Sequence, residues 1–196
     1  MKHPASYYLI NGITLYRLIM GPVLIFLAIT GNIDLFKWLL PLSFATDLVD
    51  GSLARKYRVS SKMGAILDSI ADDITVAAAI VGMFLLKHEF IMSQLWLLLF
   101  VLFLFAIQTA YALIKYKRIT SFHTYLAKIA AILQGCFFIF LFLIPEPVMF
   151  LFYASVFITS IELIEETIII YFIPNWETDV KGLYWVLKKR KQPFLK

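Results

Sequence analysis

Aspartate carboxylates are concentrated in one stretch of this otherwise apolar chain. Asp47 and Asp50 form one pair, Asp68 and Asp72 form a second pair, and Asp73 follows directly. Because residues three or four apart share a helix face, each pair would project its carboxylates in one direction. Oxygen ligands without His or Cys nearby favour Mg²⁺ or Mn²⁺, which commonly bridge carboxylates and phosphate oxygens. The two pairs therefore predict a site in which two such ions hold a diphosphate-bearing substrate.

The elements that must position these pairs are membrane-spanning helices. The chain has 61% apolar residues, 18 Phe and 16% charged residues, with a mean hydropathy of +0.83, which excludes a water-soluble domain. A spanning helix needs about 20 mainly apolar residues, since its backbone polar groups must pair within the helix. We therefore predict an all-α integral membrane protein with six transmembrane helices in one bundle. The predicted spans are 9–30, 35–54, 64–86, 91–114, 124–144 and 147–173.

The distribution of basic residues predicts the orientation of these helices. Most of the 18 Lys and Arg residues lie near the N-terminus, in the second and fourth loops and near the C-terminus, whereas Lys37 and Lys87 lie on the other side. Short loops rich in Lys and Arg stay in the cytoplasm, so both termini and the carboxylate site should face it. We predict one membrane domain over 1–196, whose basic tail at 175–196 is cytoplasmic or lies on anionic lipid. Nucleic-acid binding is not expected of it.

The aspartates belong to a longer pattern that also contains two glycines, an alanine and an arginine. Small side chains would let a nucleotide lie against the helices, and the guanidinium would place a cation near phosphate. At every position this pattern resembles the signature of the CDP-alcohol phosphotransferases. It reads Asp47-x-x-Asp50-Gly51-x-x-Ala54-Arg55, followed after eight residues by Gly64-x-x-x-Asp68-x-x-x-Asp72.

The resemblance implies a reaction and a set of residue roles. In this family a CDP-linked donor reacts with an alcohol, the substituted phosphoryl group moves to the hydroxyl, and CMP leaves. The fold implied is a six-helix membrane bundle, commonly dimeric, whose site opens to the cytoplasm. Asp72 would be the general base as well as a metal ligand. The two metals would be held by Asp47, Asp50, Asp68 and Asp72, and the nucleotide by Gly51, Ala54, Arg55 and Gly64.

The resemblance to short bacterial members of the family bears on the substrates. It implies CDP-diacylglycerol as the donor, with soluble CDP-alcohols as the alternative, and the bacterial inner membrane as the location. The first-helix pattern Asn11-x-x-Thr14-x-x-Arg17 resembles that of phosphatidylglycerophosphate synthases, which favours glycerol 3-phosphate as the acceptor. Alternatively, Arg17 could pair with an aspartate of the signature.

Two departures from that sub-family keep other acceptors open. Ser69 stands where those enzymes usually have Pro, and Ala130 stands where they have a second Lys after the position of Lys128. A phosphate-bearing acceptor would therefore meet fewer cations. Serine, inositol phosphate, ethanolamine and choline remain alternative acceptors.

A second group of acids lies in the last predicted span. Glu162, Glu165 and Glu166 are spaced to share one helix face. This face could meet an amino or quaternary-ammonium acceptor, or it could pair with Arg17 or Lys128. A small ion-coupled or proton-coupled transporter would also bury acids in the membrane, and it is the alternative from another functional class. That alternative does not predict the aspartate signature.

Overall fold

The computed structural model describes residues 5–57, 62–118, 120, 122–178 and 180–191, with side chains for 12–46, 67, 70–118, 120, 122–178 and 180–189. Over these ranges the chain is all-helical, with seven helices and no strand. The helices are α1 (Ala5–Ile29), α2 (Ile33–Tyr57), α3 (Lys62–Leu86), α4 (His88–Tyr116), α5 (Tyr125–Leu143), α6 (Met149–Phe172) and α7 (Leu183–Lys191).

The first six helices fall on the six segments predicted from hydropathy, with ends that differ by a few residues. The largest difference is at the start of α1, which begins at Ala5, before the predicted span of 9–30. Helix α7 lies in the basic tail, where no helix is predicted from the sequence.

Three helices in the described part of the chain are long and apolar enough to cross a membrane. They contain the stretches Gly12–Ile29, His88–Tyr116 and Tyr125–Leu143. These apolar helices indicate a membrane protein. The other three long helices, α2, α3 and α6, carry the predicted functional acids, and membrane crossing by them stays a prediction.

The turn from α1 to α2 shows how local sequence ends one helix and starts the next. Gly31 has a φ of 72°, and its N–H donates to Ala28 O while the Asn32 N–H donates to Leu27 O. This pair of bonds is the Schellman arrangement, in which glycine takes the left-handed conformation after the helix. The Asn32 side chain then accepts the Leu35 N–H at 3.3 Å and caps α2.

By contacts the chain divides into two compact units. The first consists of Met1–Met92 and Phe138–Pro147, so it contains α1, α2 and α3. Within it α1 packs most extensively on α3 and less on α2, and α2 contacts α3. The Phe36 and Phe142 rings pack edge to face with centroids 4.7 Å apart. The aspartate signature therefore lies on two helices of one unit.

The second unit consists of Ser93–Phe137 and Val148–Lys196. Its core cluster is an apolar group from α4, α6 and the segments beside them. Four partly buried side chains, from α4 and α7, pack against this cluster, and two of them are Leu183 and Val186 of α7. The cluster members are Ala112, Phe122, Ile169, Ile170, Ile173 and Val180.

Candidate functional site

Asp72, the last aspartate of the signature, forms a salt bridge with Arg17 of α1. The two partners differ in exposure: the Arg17 side chain is 1% exposed, whereas that of Asp72 is 44% exposed. A guanidinium is costly to bury in an apolar environment unless it is paired. The structure thus adopts the pairing that the sequence left open as an alternative for Arg17. It also leaves much of the Asp72 side chain accessible to other groups.

The close approach of α1 and α3 brings this pair together. The buried face of α1 contains Thr14, Arg17 and Gly21, which recur with helical spacing. Gly21 lies directly against the Ile74 side chain of α3, so closely that a Cβ at position 21 would overlap the Ile74 Cγ2. The small residue therefore allows the two helices to approach one turn from the salt bridge.

The buried face of α3 is also made of small residues. Ala71, Ala78 and Ala79 are fully buried, and Thr75 is 2% exposed. The Thr75 hydroxyl donates to the Ala71 carbonyl at 2.8 Å, which satisfies its polar group within the helix. The carboxylate of Asp72 therefore emerges at the edge of a helix face built for tight packing.

The rest of the predicted metal and nucleotide site lies on α2 and α3, but its side chains are outside the described residues. In α2 these are Asp47, Asp50, Gly51, Ala54 and Arg55, and in α3 they are Gly64 and Asp68. Among the described side chains no group of three potential metal-ligating residues occurs, and Asp72 is the described member of the predicted set. The metal site and the nucleotide site stay predictions.

The predicted acceptor-binding residues are distributed over several helices. Thr14 is buried on the α1 face that contains Arg17, and Asn11 lies in α1 with its side chain outside the described residues. Lys128 of α5 is exposed, with its Nζ 5.6 Å from the centroid of the Tyr125 ring. Asp73, to which the sequence assigns no role, is exposed beside Asp72. The acceptor-binding roles stay predictions.

Comparison with known proteins decides the family. Residues 7–162 match the CDP-alcohol phosphatidyltransferase family. The chain belongs to this family. This agrees with the family that the aspartate signature resembles. The matched region contains both aspartate pairs and Arg17.

A curated relative of this chain is the CDP-diacylglycerol--glycerol-3-phosphate 3-phosphatidyltransferase of Haemophilus influenzae. The two are 32% identical over 81 residues, which is 40% of this chain and 44% of the relative. The match thus spans less than half of the relative's length. No solved structure matches the chain.

The acidic face of α6 has partners that the sequence did not predict. Glu166 is 8% exposed, and its Oε2 accepts hydrogen bonds from Gln108 Nε2 at 2.7 Å and from the Thr120 hydroxyl at 3.2 Å. Gln108 Nε2 also lies 2.7 Å from the Thr120 Oγ1. Charge-assisted hydrogen bonds of this kind stabilise a buried carboxylate without a cation.

Glu165, the neighbour of Glu166, has a different partner. Its Oε1 accepts the main-chain N–H of Leu183, the first residue of α7, at 2.9 Å. A carboxylate at a helix N-terminus satisfies a free N–H and opposes the positive end of the helix dipole. Glu165 therefore caps α7 from another helix.

These contacts show what the sequence interpretation missed. Gln108 is an amide within the strongly apolar α4, and such a residue is a recognisable signal for a buried polar partner. The cap from Glu165 has no comparable local signal, because Glu165 and Leu183 are far apart in the chain. Glu166 is thus bonded to Gln108 and Thr120, and Glu165 to the Leu183 N–H. In the described residues neither glutamate forms a salt bridge with Lys128.

Proposed function

We propose that this chain transfers the phosphatidyl group from CDP-diacylglycerol to the hydroxyl of a small polar alcohol and releases CMP, a step of phospholipid biosynthesis. The family assignment supports the reaction class. The relative from Haemophilus influenzae, whose name specifies CDP-diacylglycerol and glycerol 3-phosphate, supports this donor and this acceptor. Glycerol 3-phosphate is the proposed acceptor.

The observation that carries this proposal is the partly exposed side chain of Asp72 at the last position of the signature, whose Oδ1 is buried in the bridge with Arg17. Asp72 lies in a helix whose packed face consists of small residues. The 44% exposure of its side chain leaves it open to a reacting group. A carboxylate in this position can take the proton of an acceptor hydroxyl. We therefore assign Asp72 as the general base.

The proposed step is a direct displacement at phosphorus. The acceptor oxygen forms a bond to the phosphatidyl phosphorus, the bond from that phosphorus to the CMP oxygen breaks, and the hydroxyl proton passes to Asp72. CMP leaves with the electron pair of the broken bond. No covalent enzyme intermediate is required, and trapping of a phosphoryl adduct on the protein would contradict this step.

Asp47, Asp50, Asp68 and Asp72 are the proposed ligands of two Mg²⁺ or Mn²⁺ ions. The donor set consists of carboxylate oxygens alone, which suits these hard cations. When bound, they would neutralise charge on the diphosphate and on the departing CMP. The proposed nucleotide contacts come from Gly51, Ala54, Arg55 and Gly64.

Arg17 is proposed to orient Asp72. The bridge joins α1 to α3, and a bound carboxylate keeps one direction better than a free one. Arg17 would then act on the reaction through Asp72, while Asn11, Thr14 and Lys128 remain the proposed contacts of the acceptor. The acidic face of α6 would serve an amino-bearing acceptor if glycerol 3-phosphate is not the substrate.

The proposal includes an arrangement in the membrane. All six long helices would cross the bilayer, with the signature and both termini on the cytoplasmic side of a bacterial inner membrane. The Lys and Arg residues of the second and fourth loops support this orientation. The chain would function as a homodimer.

The test is the release of CMP by the purified full chain in detergent with Mg²⁺ and CDP-diacylglycerol. The acceptors are glycerol 3-phosphate, serine, inositol phosphate, ethanolamine and choline, each assayed separately. Asp72→Asn should lower the rate by at least about 10²-fold, as expected for loss of a general base. The matched control is Asp73→Asn, which removes the neighbouring exposed carboxylate and should retain activity.

The outcomes separate the parts of the proposal. Release with glycerol 3-phosphate alone supports the full reaction, and release with another acceptor corrects the acceptor only. Activity with soluble CDP-alcohols and diacylglycerol, but not with CDP-diacylglycerol, overturns the donor. Retention of full activity by Asp72→Asn overturns the role of Asp72. Absence of CMP release with both classes of donor would favour the transporter.

A further inference from the structure

Helix α7 lies at the end of the second unit where two apolar helices terminate. The Tyr125 N–H, at the start of α5, donates to the carbonyl of Lys181 at 3.2 Å. The Tyr125 ring also lies 5.3 Å from the Trp185 ring of α7. At the end of α4, the Tyr116 hydroxyl donates to the Ile173 carbonyl at 2.6 Å, in the segment that leads to α7. Because α4 and α5 are candidate spans, their shared end is where the membrane surface is expected.

The position of α7 is fixed by polar and apolar contacts. The Leu183 N–H is capped by Glu165, and the N–H groups of Trp185 and Val186 donate to the Gly182 carbonyl. Leu183 and Val186, which share a face at a spacing of three, pack against the core cluster. One side of α7 therefore packs against the rest of the second unit.

The other side of α7 exposes aromatic and basic residues. Tyr184 and Trp185 are 66% and 44% exposed, and Lys188 and Lys189 are exposed. Lys189 lies 3.8 Å from Glu177, but its side chain is still 81% exposed. Arg190 and Lys191 continue the basic run.

The chemistry of this exposed side matches the headgroup region of a bilayer. Trp and Tyr concentrate at membrane interfaces because their rings have an apolar body and a polar edge. Juxtamembrane clusters of Lys and Arg are attracted to the anionic lipids of the cytoplasmic leaflet. A short helix with both features, held at the ends of two spans, would lie in the plane of the interface.

We propose that α7 is an anionic-lipid-binding surface of this protein. Its Trp185 ring lies at the boundary between the headgroups and the acyl chains. Lys188 and Lys189 contact the phosphates of anionic lipids. The α7 surface gathers these lipids around the end of the second unit. This proposal does not depend on the proposed reaction, since it concerns lipid composition next to α7 and not turnover.

The test measures which lipids lie next to Trp185. The full chain is placed in lipid nanodiscs of phosphatidylcholine and phosphatidylglycerol, with bromine on the acyl chains of one lipid or of the other at equal mole fraction. Bromine quenches nearby tryptophan, and subtraction of the signal of Trp185→Phe isolates the contribution of Trp185. We expect brominated phosphatidylglycerol to quench this contribution more strongly than brominated phosphatidylcholine, by about twofold or more at low salt.

Two variants test the role of charge. Lys188→Gln/Lys189→Gln should abolish the preference for phosphatidylglycerol, whereas Lys37→Gln/Lys87→Gln removes the same charge from the predicted opposite side and should leave the preference intact. About 1 M salt should also abolish it, since screening then acts within about 3 Å.

Two results would overturn the proposal. Equal quenching by the two lipids in the unmodified protein would show no selection of anionic headgroups. Lack of quenching by either lipid would show that α7 does not touch the bilayer. Because no step of the test uses CDP-diacylglycerol, its outcome is separate from that of the CMP assay.

Discussion

Arg17 and Asp72 form a salt bridge in which the cation and the bonded Asp72 Oδ1 are buried, whereas the Asp72 side chain as a whole is 44% exposed. The side chain of Arg17 is fixed within the α1–α3 contact, so it defines the direction of its partner. The accessible part of Asp72 can meet a metal, a substrate hydroxyl or water. This division suits the role proposed for Asp72, an oriented general base.

We predict that Arg17→Gln lowers the rate of CMP release by about 10- to 100-fold, as is typical when the partner of a metal-binding side chain is lost. The same variant should need more Mg²⁺ for half-maximal activity, because Asp72 is less well oriented. The measurement is the rate as a function of Mg²⁺ and, separately, of glycerol 3-phosphate. The control is Lys87→Gln, which removes a cation between α3 and α4, outside the proposed site.

The same measurements distinguish orientation of Asp72 by Arg17 from direct binding of the acceptor. If Arg17 contacts glycerol 3-phosphate, Arg17→Gln raises the KM for that acceptor and leaves the Mg²⁺ requirement unchanged. That pattern would contradict the orienting role. A raised Mg²⁺ requirement with little change in KM would support it.

The contact between Gly21 and Ile74 should be sensitive to a single methyl group. A Cβ at position 21 would overlap Ile74 Cγ2, so Gly21→Ala should destabilise the protein by about 1–3 kcal/mol, as overpacking does. Thermal unfolding in detergent measures this loss. Gly12→Ala is the matched control, because no atom lies within 4 Å of the position of its added Cβ.

A second substitution tests whether steric overlap causes the effect of Gly21→Ala. Ile74→Ala removes Cγ2 and should recover part of the stability lost in Gly21→Ala when the two are combined. Strictly additive losses in the double variant would argue against the overlap.

Glu166 should stabilise the second unit through Gln108 and Thr120. Glu166→Ala removes the acceptor of two hydrogen bonds and leaves a buried amide less satisfied, which costs about 1–3 kcal/mol. Thermal unfolding should show a clear loss. Glu146→Ala, in an exposed loop between α5 and α6, should change stability little, and equal losses would count against the buried contact.

Gly182 should be required for the attachment of α7. Its φ of 146° lies in a region that other residues rarely adopt, and an added Cβ would lie 3.1 Å from Glu165 Oε1. Gly182→Ala should therefore weaken the cap and increase hydrogen exchange of the amides in Leu183–Lys191 by about tenfold or more.

Gly135→Ala is the matched control for that experiment, because an added Cβ at position 135 meets no atom within 4 Å. Hydrogen exchange in α7 should be the same in this variant as in the original protein. Unchanged exchange in Gly182→Ala would show that neither the backbone conformation nor the Glu165 contact holds α7.

Particular residues show where prediction from the sequence succeeds. The breaks at Gly31-Asn32 and at Pro145-Glu146-Pro147 mark true helix ends, because glycine, asparagine and proline act through the local backbone. The long apolar runs of α1, α4 and α5 are equally clear. The tail helix α7 was not predicted, since its charged sequence has no strong helical periodicity and its cap comes from α6.

The sequence by itself determined the family, the long helices and the aspartate signature, because these depend on residue type and on spacing along one chain. The tertiary structure decided which distant side chains meet: Arg17 with Asp72, Glu166 with Gln108 and Thr120, and Glu165 with the first turn of α7. Helical spacing specifies the face on which a residue lies, but not the helix that packs against that face. The choice of neighbouring helix depends on side-chain packing. At Gly21, for example, the lack of a side chain leaves room for Ile74 of α3.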